Sequence, residues 1–174
     1  MSLKRIEIAS KTLSLIYEDL TYLNLNHNYY RNIETLNISH FIEERMIYFS
    51  VMAEQKDLKV EIDIEPDVLL EIDKNDATRL VDNLITNAIK YNKTKGLLGI
   101  KVTKESLRVV DTGSGIEKKE LDTIVCRFKR ANKSEGGFGI GLDIVSQVIA
   151  RYGYILDIQS EERKGTEVVV KWEK

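Results

Sequence analysis

The sequence predicts an α+β fold, a two-layer α/β sandwich preceded by one long N-terminal helix. Three observations carry this: a heptad-spaced apolar seam at the start, strands and helices that mix without strict βαβ alternation, and hairpin patterns late in the chain. With 174 residues there is room for one full domain plus a small attachment, and 43% hydrophobic residues supply a sizeable core.

The seam consists of Ile6, Ala9, Leu13, Ile16, Leu20 and Leu23, alternately three and four apart. That spacing packs one helix against another, and the rest of the chain does not obviously supply the partner. A polar stretch around His27, rich in Asn and Tyr, marks a boundary. The expected organisation is therefore a helical piece over 1–30 and a domain over 31–174.

Within the domain, Phe41, Ile42, Met46 and Phe49 share one face of a helix over 38–55. Short strands at 59–64 and 68–72 flank Pro66, the sole proline. A helix over 76–91 carries the apolar stripe Leu80, Val81, Leu84, Ile85 and Ala88. Strands at 99–103 and 107–110 read as a hairpin closed by Lys104-Glu105. Helices over 118–124 and 141–152 follow, and a last hairpin joins 155–158 to 167–172 through a turn at 161–165.

Charge and composition narrow the function classes. A net charge of −2 supplies no general attraction to nucleic acid or to an anionic membrane. Cys126 is the only cysteine, so no internal disulfide can form; it is expected to be a small buried residue without nucleophilic activation. No apolar run approaches membrane-spanning length, and no signal-peptide pattern opens the chain. The chain reads as a soluble intracellular piece. Its opening Met1-Ser2-Leu3 reads as an added start, so a longer parent is expected.

Three constellations carry chemistry. Asn83, Asn87, Lys90 and Tyr91 fall on one side of the helix over 76–91. Two amide oxygens one turn apart can hold a hard cation such as Mg²⁺, Lys90 can meet a phosphate, and Tyr91 can cover a flat ring. Taken alone, these residues are more simply a solvated helix face. Asp111-Thr112-Gly113-Ser114-Gly115-Ile116 follows a strand. Its glycines allow close approach to a ligand, and Asp111 can accept hydrogen bonds from an exocyclic amine. Taken alone, it is a tight strand-to-helix turn. Gly136-Gly137-Phe138-Gly139-Ile140-Gly141-Leu142 runs into a helix and offers backbone N–H groups to an anion, with a flexible loop as the alternative. It lacks the Lys-Ser/Thr of a P-loop and the spacing of a dinucleotide fold.

In this order the three segments resemble the N, G1 and G2 boxes of the GHKL ATP-binding fold, shared by histidine kinases, gyrase-type topoisomerases, heat-shock chaperone ATPases and mismatch-repair ATPases. The run from Asp82 through Asn83, Asn87, Lys90 and Tyr91 is similar to the version in bacterial sensor histidine kinases, and Gly165-Thr166 matches a further nucleotide-proximal box. The resemblance covers about residues 38–174. It implies a mixed sheet covered by helices on one face, ATP as substrate and Mg²⁺ as cofactor. In hydrolytic relatives a glutamate four residues before the metal-binding Asn activates water. Asn83 stands there, and an amide is no general base, so transfer is favoured over hydrolysis.

The resemblance further implies that Asn87, aided by Asn83, binds Mg²⁺ and that Lys90 contacts phosphate. Asp111 would read the adenine amine, with Gly113, Gly115 and Ile116 shaping the pocket and Tyr91 near the ring. Gly137, Phe138, Gly139, Ile140, Gly141 and Leu142 would border the phosphates, with Thr166 close by. A basic lid over roughly 129–136 would add Arg127, Lys129, Arg130 and Lys133 as candidate phosphate contacts. One departure is that Val125 stands where the family shows the first of two phenylalanines, Phe128 being the second.

Histidine kinases phosphorylate a histidine on a separate helical hairpin. Ser39-His40 is followed by no proline and lies too close to Asn87, so His40 is read as a helix-start residue and His27 as a surface or seam residue. The N-terminal helix resembles the second helix of the dimerisation hairpin, with the acceptor histidine absent. Implied partners are a response regulator receiver domain and a second copy through the hairpin, the piece itself being monomeric or weakly dimeric. The parent is expected to be membrane-anchored with this part in the cytoplasm. Two other readings stand beside the kinase: a protein-serine kinase of the anti-sigma type, which the N-terminal helix argues against, and a nucleotide-binding interaction module without catalysis.

Overall fold

The computed structural model describes residues 2–25, 30–130 and 139–172, with the side chains of 127–130 also outside the description. Residues His27 and Tyr29, positions 131–136 of the lid expected over 129–136, Gly137 and Phe138 lie outside the described residues, as do the side chains of Arg127, Phe128, Lys129 and Arg130.

Two sheets and five helices make up the described fold. A long helix α1 (Leu3–Leu25) leads into strand β1 (Ile33–Asn37) and helix α2 (Ile38–Gln55). Strands β2 (Lys59–Ile64) and β3 (Leu69–Asp73) precede helix α3 (Lys74–Lys90). Strands β4 (Leu97–Val102) and β5 (Ser106–Asp111), helices α4 (Lys118–Arg130) and α5 (Ile140–Tyr152), and strands β6 (Ile155–Glu161) and β7 (Gly165–Lys171) complete the order. The main sheet runs β2-β4-β5-β7-β6; β2 lies parallel to β4 and the other neighbours are antiparallel. This is an α+β sandwich with a mixed sheet.

Strand alternation sets which face the helices cover. Leu98, Ile100, Val102, Leu107 and Val109 are buried, while Lys101 and Arg108 between them are exposed, and Arg108 pairs with Glu167 at 3.0 Å on the open face. Against the covered face sit α3 and α5, whose Leu84, Ile85, Val145 and Val148 are buried, and α2 adds Ile42 and Phe49. Helix α3 is buried nearly all round, which makes it the central helix of the layer.

Side chains at the helix starts fix where α2 and α3 begin. Asn37 caps α2 by accepting the His40 N–H at 3.1 Å. Asp73 caps α3 by accepting the N–H groups of Asn75 and Asp76 at 2.8 and 3.1 Å.

The sequence pattern leaves out β1 and does not say how β2 and β3 pair. Although both flank Pro66, β2 joins the main sheet beside β4, and β3 pairs antiparallel with β1 in a separate two-stranded sheet. Residues 33–37 alternate weakly and stay largely exposed, so no periodic signal marks them. The expected burial of Cys126 is also corrected: the residue is exposed on α4, where Ile124 is the buried one among the described side chains.

Helix α1 presents two faces. The seam residues Ile6, Ala9, Leu13, Ile16 and Leu20 are exposed, whereas Leu23, the last of the seam, turns toward the domain with Ile8, Lys11, Leu15, Asp19 and Tyr22. That inner face is mostly polar at its contacts. Lys11 Nζ donates to the Tyr48 carbonyl at 2.9 Å, Arg79 reaches Glu18 and Asp19 at 2.5 and 3.0 Å, and the Tyr22 hydroxyl donates to Asp76 at 2.6 Å. Among the described residues no helix is long and apolar enough to cross a membrane.

Phe49 is wholly buried and Ile47, two residues away on the same helix, is 74% exposed. Phe49→Ala is expected to cost about 3–5 kcal/mol of stability. Ile47→Ala should stay within about 0.5 kcal/mol of wild type, urea unfolding followed by circular dichroism providing the comparison.

Candidate active site

A cavity of about 500 Å³ opens between the last turns of α3, the loop after β5, the start of α5 and the strands β6 and β7. Its walls are apolar where the sheet and α3 contribute Leu84, Ala88, Val109, Leu156 and Val168. Polar groups are few and placed singly: Asn87, Asp111, Ser114, Glu120, Thr123 and Thr166. An apolar slot with a small number of fixed polar groups is the usual form of a small-molecule site.

Asp111 occupies the end of β5 and is 7% exposed. Its carboxylate accepts the Gly113 N–H at 2.8 Å and a backbone N–H from Thr166. Burial outweighs both and pushes the carboxyl above the usual aspartate range. A carboxylate held this way keeps an acceptor lone pair for a ligand's amine.

The loop after β5 is pressed directly onto the end of α3. A Cβ at Gly113 would stand 2.0 Å from the Tyr91 carbonyl oxygen, so only glycine allows the approach. The Ser114 N–H donates to that same carbonyl at 3.0 Å. On the other side, Ile116 N–H donates to Ser160 Oγ at 2.9 Å, which ties the loop to the final hairpin. Gly115, Ile116 and Tyr91 thereby become cavity walls.

Not every residue singled out by sequence faces the cavity. Asn87, Tyr91, Asp111, Gly115, Ile116, Leu142 and Thr166 line it. Lys90 is exposed beside it, its ammonium 5.0 Å from the Tyr91 ring centroid. Asn83 is buried beneath α5, its amide donating to the Arg79 carbonyl at 2.7 Å and to Asp19 at 3.3 Å. Its Oδ1 lies where a Cβ on Gly141 would fall, 2.2 Å away, so the glycine admits the contact between α3 and α5. Gly139 precedes α5 as a cap without a side-chain hydrogen bond, and Ile140 is exposed beside it.

Glu120 and Thr123 on α4, and the apolar walls from β6 and β7, were not marked as site residues by the sequence. Their only sequence signal is ordinary amphipathic patterning, which does not distinguish a cavity wall from core.

Residues 72–174 match the family described as histidine kinase-, DNA gyrase B- and HSP90-like ATPase. The chain belongs to this family. Its relatives include the sensor histidine kinase WalK of Bacillus subtilis, 31% identical over 151 residues that cover 81% of this chain and 25% of WalK. The sensor histidine kinase YclK of the same organism is 26% identical over 179 residues, covering 95% of this chain and 37% of YclK. Among solved structures, the mycobacterial sensor histidine kinase MprB superposes with a TM-score of 0.63 at 25% identity, covering 80% of this chain and 96% of that one. The chain spans well under half the length of WalK or YclK.

The raised position of Asp111 has a sign that can be checked. Its folded pKa lies above the ordinary 3.8, so the folded state holds this proton more tightly than the unfolded chain does. The contribution of Asp111 to stability therefore falls as pH rises from the ordinary value through the raised one. Without nucleotide, Asp111→Asn should melt no lower than wild type at neutral pH, and the difference should narrow on acidification, as read by thermal unfolding across pH.

Proposed function

We propose that this domain binds ATP in the cavity and transfers the γ-phosphoryl group to a histidine on a separate helical hairpin, for relay to a response regulator receiver domain. The observation that carries the reading is Asp111, a buried carboxylate at the end of β5 in a cavity of about 500 Å³ whose walls are largely apolar. Adenine would place its exocyclic amine on that carboxylate, with its faces against Ile116 and the aliphatic wall and Tyr91 at the rim.

The triphosphate would leave the slot toward Asn87 and the start of α5. The uncapped N–H groups there, after Gly139, suit an anion, and Lys90 adds positive charge at the rim. Mg²⁺ fits the donor set: the Asn87 carboxamide lines the cavity and offers a hard oxygen, the remaining ligands being phosphate and water. When bound, the ion neutralises phosphate charge during transfer. Asn83 supports this site from beneath, since its amide packs under Gly141 and does not line the cavity. No carboxylate stands four residues before Asn87, which favours transfer over activation of water.

The acceptor is assigned to another segment. His40 is exposed in the first turn of α2, with its ring nitrogens 3.8 and 3.5 Å from Glu43 and Glu44, a helix-surface setting. The exposed seam of α1 supports pairing with the remaining helices of a dimerisation hairpin in a longer, membrane-anchored sensor whose cytoplasmic side carries this domain.

Calorimetric titration with a non-hydrolysable ATP analogue tests the site. Wild type should bind with micromolar affinity that depends on Mg²⁺, and Asp111→Asn should bind about 10- to 100-fold more weakly, the range for losing a hydrogen bond to a charged group. Absence of binding to folded wild type would overturn the reading. With γ-labelled ATP, the chain should leave itself unlabelled and label an acceptor hairpin supplied in trans. Robust labelling at His40 would overturn the placement of the acceptor.

A further inference from the structure

Lys56 lies outside the cavity and was marked by no motif, yet its side chain makes three contacts that converge behind the site. It closes α2, its own N–H turned back to Ala53 and Glu54. Its ammonium donates to the carbonyl oxygens of Ile89, Lys90 and Asn92 at 2.9, 2.6 and 2.9 Å. A lysine ammonium has three N–H donors, and here all three are spent on main-chain carbonyls 33 to 36 residues away in sequence. Ile89 and Lys90 end α3 and Asn92 lies in the turn after it, at the helix terminus that carries partial negative charge. The Ile89 carbonyl also accepts the Asn92 N–H at 3.3 Å.

The three carbonyls bracket Tyr91. Ile89 and Lys90 precede it and Asn92 follows it, so the grip holds the peptide plane that enters Tyr91 and the one that leaves Asn92, on either side of a residue that lines the cavity. The Tyr91 carbonyl in turn receives the Ser114 N–H and touches Gly113. Asn92 is buried, donates to the Leu97 carbonyl at 2.9 Å and starts the turn into β4. The Lys56 carbonyl accepts the Lys95 N–H at 2.8 Å within that turn. One lysine thus joins the end of α2, the end of α3 and the turn before β4 without itself lining the cavity.

We propose that Lys56 is a positioning residue for nucleotide binding: its three-carbonyl grip holds the last turn of α3 so that Tyr91 and the loop beneath it form a fixed wall of the cavity. This rests on the reading of the cavity as an ATP site. Without the ammonium the last turn frays, the Tyr91 carbonyl loses its register with Ser114, and the slot widens.

The test compares Lys56→Met, Lys56→Arg and a control, Leu36→Ala, which loosens the separate two-stranded sheet remote from the cavity. Affinity for a non-hydrolysable ATP analogue is measured by calorimetry, and amide hydrogen exchange is followed at residues 91–93. Lys56→Met should bind about 10-fold more weakly, with faster exchange at those amides, and Lys56→Arg should recover most of the affinity by keeping a cation at the carbonyls. Leu36→Ala should lower the melting temperature without either change. Should Lys56→Met fail to fold, Lys56→Gln, a neutral donor, takes its place and should bind at least about 3-fold more weakly. Wild-type affinity in Lys56→Met, or an equal loss in Leu36→Ala, overturns the inference alone. A folded wild type that binds no analogue overturns the nucleotide reading and the inference with it.

Discussion

The contact between the end of α3 and the loop after β5 is the constraint on which the site depends. Main chain meets main chain there: the Tyr91 carbonyl takes the Ser114 N–H, and Gly113 lies too close to that carbonyl for any side chain. Asp111 is two residues before this contact, and its carboxylate accepts the Gly113 N–H, so the loop that fixes the carboxylate also fixes the α3 terminus. Ligand-facing groups from two distant segments are thereby held by backbone hydrogen bonds, which move less than side-chain contacts would. The stability cost of keeping an anionic carboxylate in this slot is accepted locally and offset by the core around it.

A second set of polar contacts fastens α1. Asp82 receives Arg45 through two hydrogen bonds of 2.7 Å and Arg79 at 3.3 Å, while Arg79 extends to Glu18 and Asp19 on α1. Below it Asp76, fully buried, gathers the Tyr22 and Tyr152 hydroxyls with Arg31 and Arg151. Burial and the neighbouring Asp76 carboxylate push the Tyr22 hydroxyl up to about 12, so it remains a donor. Buried ion pairs of this kind contribute little net stability because desolvation offsets their attraction. Their effect is geometric: removing one member leaves another charge buried, so α1 has one register against α3 and α5.

Much of the fold was legible in the chain. The boundaries of α2 and β2 follow from periodicity, and the stripe of Leu80, Val81, Leu84, Ile85 and Ala88 is buried as its spacing requires. The hairpins β4–β5 and β6–β7 form where turn residues separate apolar runs. Strand β1 was not legible, because a short exposed strand carries almost no hydrophobic alternation. The inner face of α1 was hidden for a related reason. Its anchors include Lys11, Glu18, Asp19 and Tyr22, whereas the heptad pattern of apolar residues picked out a seam of which only Leu23 packs on the domain.

By itself the sequence determined most elements of the domain and the segments that carry Asn87, Asp111 and the glycines, since local spacing and residue chemistry are properties of neighbours in the chain. Tertiary structure alone decided which of those groups share a cavity. It turned Asn83 under Gly141 and brought Thr166 to Asp111 across the β5–β7 ladder. It also set Lys56 behind Tyr91 and left Cys126 in solvent. Those outcomes follow from packing between segments tens of residues apart, where the facing side of a helix or strand is chosen by its partner and not by its own pattern.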